Sequence, residues 1–455
     1  MRRSPRGRLF ALLLATSLIA AACGRDDDSS DDGGGDNTTE TTAADGESAA
    51  FINAEEECPD GWDGTTGVEG NTIKVGTISP STGAITATIY NNVTKGMRAH
   101  FEAVNKAGGV TAGDGNTYQL ELIEKDDAYD ASKTQAAAQD LIENDKVFAM
   151  VGGIGTETNI AARDYVNEQC VPSVALGTGS PEWGKNNTSP WYIGGLPSYA
   201  TEAVAFLDYY KTVKPDATIA LLYQNDDFGQ SYQAAIKKYI EDNDSEMTVA
   251  AEEPFDIKSG QTPEAAVTRL AQSKADVLFV GISGSSCAGS LRFVPADWQP
   301  ARYLSITCSG KVALSFGQGA EEGIFTSQAT LDPASATDSQ HPKVQKFFTD
   351  GAGVGLTQDE MENGIHAAGW GFAAIFLRAI ENAPELTRDS LMNTLWQMDE
   401  GDDVGLLRDG QTLITDNADD PWLIEAVRIV QRTGGDWTEV HPLTHYDGQS
   451  NDLAG

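Results

Sequence analysis

Histidine is scarce in this chain of 455 residues: His100, His341, His366, His441 and His445 are its five, scattered and without HExxH spacing. Histidine is the usual general base and the commonest metal ligand, so acid–base and zinc chemistry lose their normal carrier. Each of the five is read as a surface or packing residue. Cysteine is equally sparse, and none of the five has CxxC spacing, which removes a zinc cluster or a dithiol redox pair. Cations are short too: 31 Lys and Arg stand against 68 Asp and Glu, a net charge of −37. A chain of that sign is a poor partner for nucleic acid, whose phosphates need Lys and Arg; the acidity is read as a solvated surface. Phosphate and nucleophile motifs are missing as well. "GIGTET" and "GTGSPE" lack the third glycine of a dinucleotide loop, "SGKV" lacks the first glycine and the hydroxyl of a P-loop, and "GISGS" falls short of G-x-S-x-G. The carboxylate pairs Asp126-Asp127 and Asp226-Asp227 are adjacent in sequence and are not expected to converge on one bond. No catalytic set emerges, and no cofactor or metal is expected.

Long apolar runs are confined to the start. Arg2, Arg3, Arg6 and Arg8 precede "LFALLLATSLIAAAC", Leu9 to Cys23. A basic region, a short apolar core and small residues make an export signal over residues 1–22, too short for a membrane span. Cys23 follows Ala20-Ala21-Ala22 as in a bacterial lipobox, with Ala20 where leucine is usual. On this reading Cys23 is lipidated and anchors the chain to the membrane from outside the cytoplasm. "GRDDDSSDDGGGDNTTETTAADGESAA" follows, acidic and without periodicity. It cannot bury enough surface to fold; residues 23–70 are expected to form a flexible linker, with a reach of about 30 Å over the run to Cys58.

Cys58, Cys170, Cys287 and Cys308 remain, an even number in an exported chain, which favours disulfides. Three pairings are possible. Cys287–Cys308 is preferred because each closes a predicted strand in consecutive β/α units, which leaves Cys58–Cys170.

From Thr72 onward strand and helix patterns alternate. "NTIKVGTISP", "YQLELIEKDD", "KVFAMVGG" and "VPSVALGTG" read as strands, and "SKTQAAAQDLIEND" as a helix between them. The pattern restarts with "ATIALLYQNDDFG", "ADVLFVGISGSSC" and "ARYLSITCSG". "MENGIHAAGWGFAAIFLRAIENA" reads as a long helix rich in small residues, and "WLIEAVRIVQRTGGDWTEV" as a strand pair turned at Gly-Gly. Repeated βα units with apolar strands mean α/β architecture with parallel sheets. Ligands then bind beyond the carboxyl ends of strands, where the loops are rich in Gly, Ser and Thr. "GGIGTET" is therefore a candidate cradle for a carboxylate or amide at a helix start, and the competing role of Thr156 is a plain N-cap.

The order of these motifs resembles the type I periplasmic binding proteins of the leucine/isoleucine/valine group, solute-binding subunits of ABC importers. The most specific stretch is "EKDDAYDASKTQAAAQDLIENDKVFAMVGGIGTET", and "IKVGTISPSTGA", "NKAGGV", "PSVALGTGSPEW", "YQNDDFGQSY" and "ADVLFVGISGS" follow the same order. The resemblance implies two Rossmann-like doubly wound lobes joined by three crossovers, near Tyr192–Leu196, Ser327–Leu331 and Asp402–Leu407. Lobe I would comprise residues 71–193 plus 329–401, and lobe II residues 194–328 plus 402–455. It carries ligand contacts to Thr156 with Glu157 and Thr158, to Gly177, Thr178 and Gly179, to Phe228 and Ser283, and to Tyr90 or its neighbour Ile89. Amino-acid binders of the group place a carboxylate after the strand "YLSITCSG" for the ligand ammonium. Here Thr307 or Cys308 stands there, and Glu157 or Asp226 could substitute; a turn role competes for Asp226, and lobe packing for Phe228. Otherwise the ligand is an amide, a urea-like compound, a short carboxylic acid or a small aromatic. The expected partners are that small molecule, permease subunits of an ABC transporter and the membrane, with the receptor a monomer. A sensor of the same fold, and an extracellular hydrolase, are the alternatives.

Overall fold

The computed structural model describes residues 51–83, 87–243, 245–417 and 419–454. The export signal, Cys23 and the acidic stretch up to residue 50 lie outside the described residues, as do residues 84–86 in the first loop.

Five parallel strands form the core of the first sheet: β1 Thr72–Ser79, β2 Thr117–Asp126, β3 Ala149–Val151, β4 Ser173–Leu176 and β5 Tyr192–Gly194. Their order is β2-β1-β3-β4-β5, with two-residue strands Val68–Glu69 and Val110–Thr111 added antiparallel to β1 and β2. The second sheet repeats the order. β6 Thr218–Gln224, β7 Thr248–Phe255, β8 Val277–Gly281, β9 Ala301–Leu304 and β10 Phe325–Gln328 run parallel as β7-β6-β8-β9-β10. An antiparallel pair, β11 Ala426–Thr433 and β12 Asp436–His445, completes that sheet beyond β10 and turns at Gly434-Gly435. The central strands are buried on both faces, as helices on both sides require; every residue of β8 is buried. Each such apolar side chain contributes about 1.5–3 kcal/mol. In both sheets the winding reverses next to the first strand, between β1 and β3 and between β6 and β8, which opens a crevice at the strand carboxyl ends.

Chain passes between the sheets three times. Residues 195–198 lead from β5 into α3 (below), residues 329–341 leave β10 for helices that pack on the first sheet, and residues 401–425 return to β11. The second and third passes pair with each other: Leu331 N–H donates to the Leu406 carbonyl (2.9 Å) and Arg408 N–H to the Ala329 carbonyl (3.3 Å). Five helices matter for the site: α1 Ala87–Ala107, α2 Thr156–Glu168, α3 Tyr199–Val213, α4 Asp227–Asp242 and α5 Gly364–Asn382. The small residues of α5 have a packing cause. A Cβ on Gly369 would lie 1.9 Å from the Val93 carbonyl oxygen, and one on Gly96 would lie 1.9 Å from that of His366. α1 and α5 thus touch backbone to backbone.

Composition assigns residues 51–70 to the tether, but they lie against the first sheet's body. Phe51 stacks edge-on with Trp396 at 5.7 Å, Trp62 with Trp191 at 6.0 Å, and Asn393 holds both backbone groups of Ile52. Three large apolar side chains and a disulfide outweigh the polar composition around them. Both disulfides have the pairing that strand position favoured: Cys58–Cys170 closes 112 residues of chain and Cys287–Cys308 closes 21. Chain-entropy arguments give about 5 kcal/mol for the long loop and about 3 for the short one. Replacing Cys58 and Cys170 by serine should therefore lower the urea-unfolding free energy more than replacing Cys287 and Cys308; the reverse ranking would mean that native-state effects dominate.

Candidate functional site

At the mouth of the first crevice the chain runs from β3 through Gly152–Gly155 into α2. Gly155 is the N-cap, at φ 99° and with no side-chain cap. A Cβ there would meet the Thr158 hydroxyl and the Tyr129 ring, both at 2.6 Å, so glycine is required. Two consequences follow. The first N–H groups of α2 have no side-chain acceptor and keep the partial positive charge of a helix start. Thr156, the first helical residue, is not the cap; its fully buried hydroxyl lies 2.7 Å from that of Thr178. Thr178 comes from the next loop, where Gly177 N–H donates to the Gly153 carbonyl (2.9 Å) and the Gly179 carbonyl accepts from Tyr199 N–H (2.7 Å). Trp183 Nε1 and Ser180 N–H both point at the Thr178 oxygen, at 3.3 Å. The hydroxyls of Thr156 and Thr178 bond each other, which leaves one hydroxyl hydrogen of the pair to donate beside the open start of the helix.

The other expected residues divide. Thr158 spends its hydroxyl on the Ile154 carbonyl at 2.6 Å, a local bond. Glu157 pairs with Lys258 across the crevice at 2.7 Å, so it ties the first sheet's side to the second. Asp226 caps α4, accepting from Phe228 N–H (3.1 Å) and Gly229 N–H (3.4 Å), and its second oxygen accepts from Gln224. Burial raises its pKa above the ordinary carboxylate value. The turn role weighed for Asp226 is therefore real, and both of its oxygens are engaged, whereas Glu157 meets Lys258 through one oxygen. Ser283 donates through both N–H (3.0 Å) and hydroxyl (2.7 Å) to Gln224, which it holds in place.

Aromatic rings close the crevice. Tyr90, not the fully buried Ile89, reaches the opposite loop, where its hydroxyl accepts from Gly284 N–H at 3.2 Å. Phe228 is buried and meets Tyr199 edge-on at 4.9 Å. Tyr199 and Tyr129 belong to the site although the motifs did not single them out. Burial raises the Tyr199 pKa, with the Thr178 hydroxyl and Gly179 N–H beside it acting against the rise. Burial, and then the charge of Asp226, raise the Tyr129 pKa, and Lys258 sits 5.9 Å from that ring's centre. Tyr129 is the tyrosine of "DDAYD" and Tyr199 begins the helix after the first pass, so sequence position was their only signal.

Between the cradle and the second and third passes lies a cavity of about 150 Å³. Ile154 and Gly177 belong to its wall, so it shares that wall with the cradle, and the second and third passes form its back. Below the second sheet's loops is a buried carboxylate, Glu202 of α3. It accepts from Tyr232 OH, Tyr303 OH and Ile306 N–H, each at 2.8 Å, and so fixes the loop that carries Thr307. Burial pushes its pKa up to about 7. Among the described residues no group of three His, Cys, Asp or Glu is placed to hold a metal, and no helix is long and apolar enough to cross a membrane.

Residues 72–436 match the profile of the family described as periplasmic binding protein. Two curated proteins of Pseudomonas aeruginosa are similar. One, named amino acid binding protein, is 23% identical over 51% of this chain and 60% of its own length. The other, named leucine-, isoleucine-, valine-, threonine- and alanine-binding protein, is 30% identical over 38% of this chain and 44% of its own. The matches thus span less than two thirds of either relative. Among solved structures, a branched-chain amino acid ABC transporter protein of Thermus thermophilus with bound valine has a TM-score of 0.71, with 15% identity, over 82% of this chain and 96% of that one. An R. palustris ABC transporter solute-binding protein in complex with 4-hydroxybenzoate has 0.67 and 17%, over 83% and 98%. At these identities the structures show a shared fold.

Glu202 gives a pH test. Its folded pKa of about 7 lies above the ordinary 4.5. Between those values the folded chain keeps a proton that the unfolded chain has lost, so this group's contribution to stability falls as pH rises through the window. Glu202→Gln has no proton to lose. Its stability relative to the parent should climb from pH 4.5 to 7 in urea titrations; a difference independent of pH would refute the assignment.

Proposed function

The chain belongs to the periplasmic binding protein family, and from that premise we propose that it is an extracytoplasmic solute receptor and not an enzyme. It is anchored through lipidated Cys23, captures a small ligand between its lobes, lobe I at 71–193 and 329–401 and lobe II at 194–328 and 402–455, and delivers it to the permease of an ABC importer. The observation that carries the ligand class is the cradle: the Thr156 and Thr178 hydroxyls 2.7 Å apart at the uncapped start of α2. A helix start with free N–H groups favours a carboxylate or an amide oxygen. Relatives named for amino acids, and structures with valine or 4-hydroxybenzoate, fit a small carboxylate. Of the carboxylates that could meet an ammonium, Asp226 is engaged through both oxygens at the α4 cap, and Glu157 is already paired through one oxygen with Lys258. We therefore favour a ligand recognised by its carboxylate or amide and not by an α-ammonium group.

A thermal-shift screen of amino acids, amides, ureas, short carboxylates and aromatic acids tests this. Ligand at 100 times its Kd adds about 2.7 kcal/mol, a rise in Tm of about 5–10 °C for lobes of this size. Thr156→Ala should weaken a carboxylate ligand about ten- to a hundredfold, the worth of one hydrogen bond to a charged group. A shift confined to compounds without a carboxylate or amide, or an affinity unchanged by Thr156→Ala, would sink the reading.

A further inference from the structure

Residues 446–454, beyond β12, reach from the second lobe to the first. Their helix, Ser450–Ala454, packs on α3 and α4 and on the turn Pro181–Gly184 that follows β4. On the second lobe, Tyr446 OH donates to Asp208 of α3 (3.3 Å), and the fully buried Ser450 and Thr201 hydroxyls lie 2.7 Å apart. On the first, Asn451 Nδ2 donates to the Gly184 carbonyl (3.1 Å), while Asn451 Oδ1 accepts from Trp422 Nε1 of the third pass (2.9 Å). A Cβ on Gly184 would lie 1.8 Å from Asn451 Oδ1, so glycine lets the segment seat there. A rotation of one lobe against the other has to break or drag these bonds.

One carboxylate holds the root of this segment. Glu425, 4% exposed at the end of the third pass, accepts from Gly448 N–H (2.7 Å) and Ser450 N–H (3.2 Å). Half-buried Asp420 of the same pass lies against it, and Asp416 and Asp447 face that pair. Asp447 has His445 at 3.5 Å, and among the described residues no Lys or Arg pairs with Glu425, Asp420 or Asp416. The other elements against the segment present Asp208 on α3, Lys238 on α4, paired with Asp242, and Glu182 on the turn, paired with Arg163. Two adjacent carboxylates out of water and without a cation resist ionising together. We propose that residues 446–454 are a proton-dependent strap: with one proton held between Asp420 and Glu425 it is seated and ties the lobes, and loss of that proton releases it and lets them part. Burial, and then the charge of Asp420, push the Glu425 pKa up to about 7 against the pull of the Ser450 and Gly448 donors. Released into water, the two acids would give up the proton near their ordinary 3.8 and 4.5. Seating thus takes up a proton; it is complete at low pH and lost as pH rises through about 7.

Two readouts on the purified protein without ligand, taken from about pH 5 to about pH 9, test the strap. The Trp422 indole N–H resonance, identified by its loss in Trp422→Phe, reports the bond to Asn451, and small-angle X-ray scattering reports the separation of the lobes. In the parent the resonance should move with a midpoint near pH 7, and the radius of gyration should rise with the same midpoint. Asp420→Asn supplies an amide hydrogen where the shared proton lies, so both readouts should hold their low-pH values throughout. Gly184→Ala, whose Cβ collides with Asn451, should show the high-pH values at every pH; should it fail to fold, the parent and Asp420→Asn decide alone. A resonance that does not titrate in the parent would overturn the strap. So would a titration that persists in Asp420→Asn, where Glu202 keeps its own proton, or a resonance that moves while the radius stays fixed.

Discussion

Parallel strands covered by helices leave one place where backbone donors meet open space, the loops at their carboxyl ends. Here two sheets with the same strand order are joined by three passes of chain, and the second and third are hydrogen-bonded to each other at Leu331–Leu406 and Ala329–Arg408. That constraint turns the two crevices toward a common space. Contacts across it come from both sides, Glu157 with Lys258 and Tyr90 with Gly284. The placement of Thr156, Thr178, Phe228 and Ser283 follows from this topology, since each sits just past a strand end, in a loop or in the first turn of a helix.

The starts of α2 and α4 are handled differently. α4 begins at its own carboxylate: Asp226 accepts from Phe228 and Gly229, so its positive end is neutralised within the chain. α2 begins at Gly155, which offers no side chain, and its donors stay unclaimed. Negative charge on a ligand is thus better matched to the start of α2 than to that of α4. Tyr90, Tyr129, Tyr199 and Phe228 are buried around that part of the crevice. Glu202 serves another purpose. It is buried among two tyrosine hydroxyls and the Ile306 N–H, behind the loop where amino-acid binders of this group would carry their acid. It supports that loop and does not face the ligand.

Much of this was legible in sequence because strand ends are marked by apolar runs that stop at glycine. The β3–α2 loop, the restart of the pattern at Ala217 and the Gly-Gly hairpin near the C-terminus could be read that way. What sequence could not decide was how one residue type divides its work. Thr156 and Thr158 are two positions apart, yet one hydroxyl meets Thr178 and the other is spent on Ile154. Asp226 and Glu157 are both acids at helix starts, and only coordinates show that a cap and a lysine hold them. Tyr129, Tyr199 and Lys258 were missed because distant loops bring them in. Residues 51–70 read as tether because acidic and small residues dominate there, although Phe51, Ile52 and Trp62 carry the opposite signal.

The central claim is that the uncapped helix start and its two threonines receive the ligand's anionic or amide oxygen. A crystal structure of the protein with the compound giving the largest thermal shift would test it most directly. The account predicts an oxygen of that compound within hydrogen-bond distance, about 2.5–3.2 Å, of the Thr156 or Thr178 hydroxyl. A ligand held by the second lobe alone, with both threonines untouched, would contradict it.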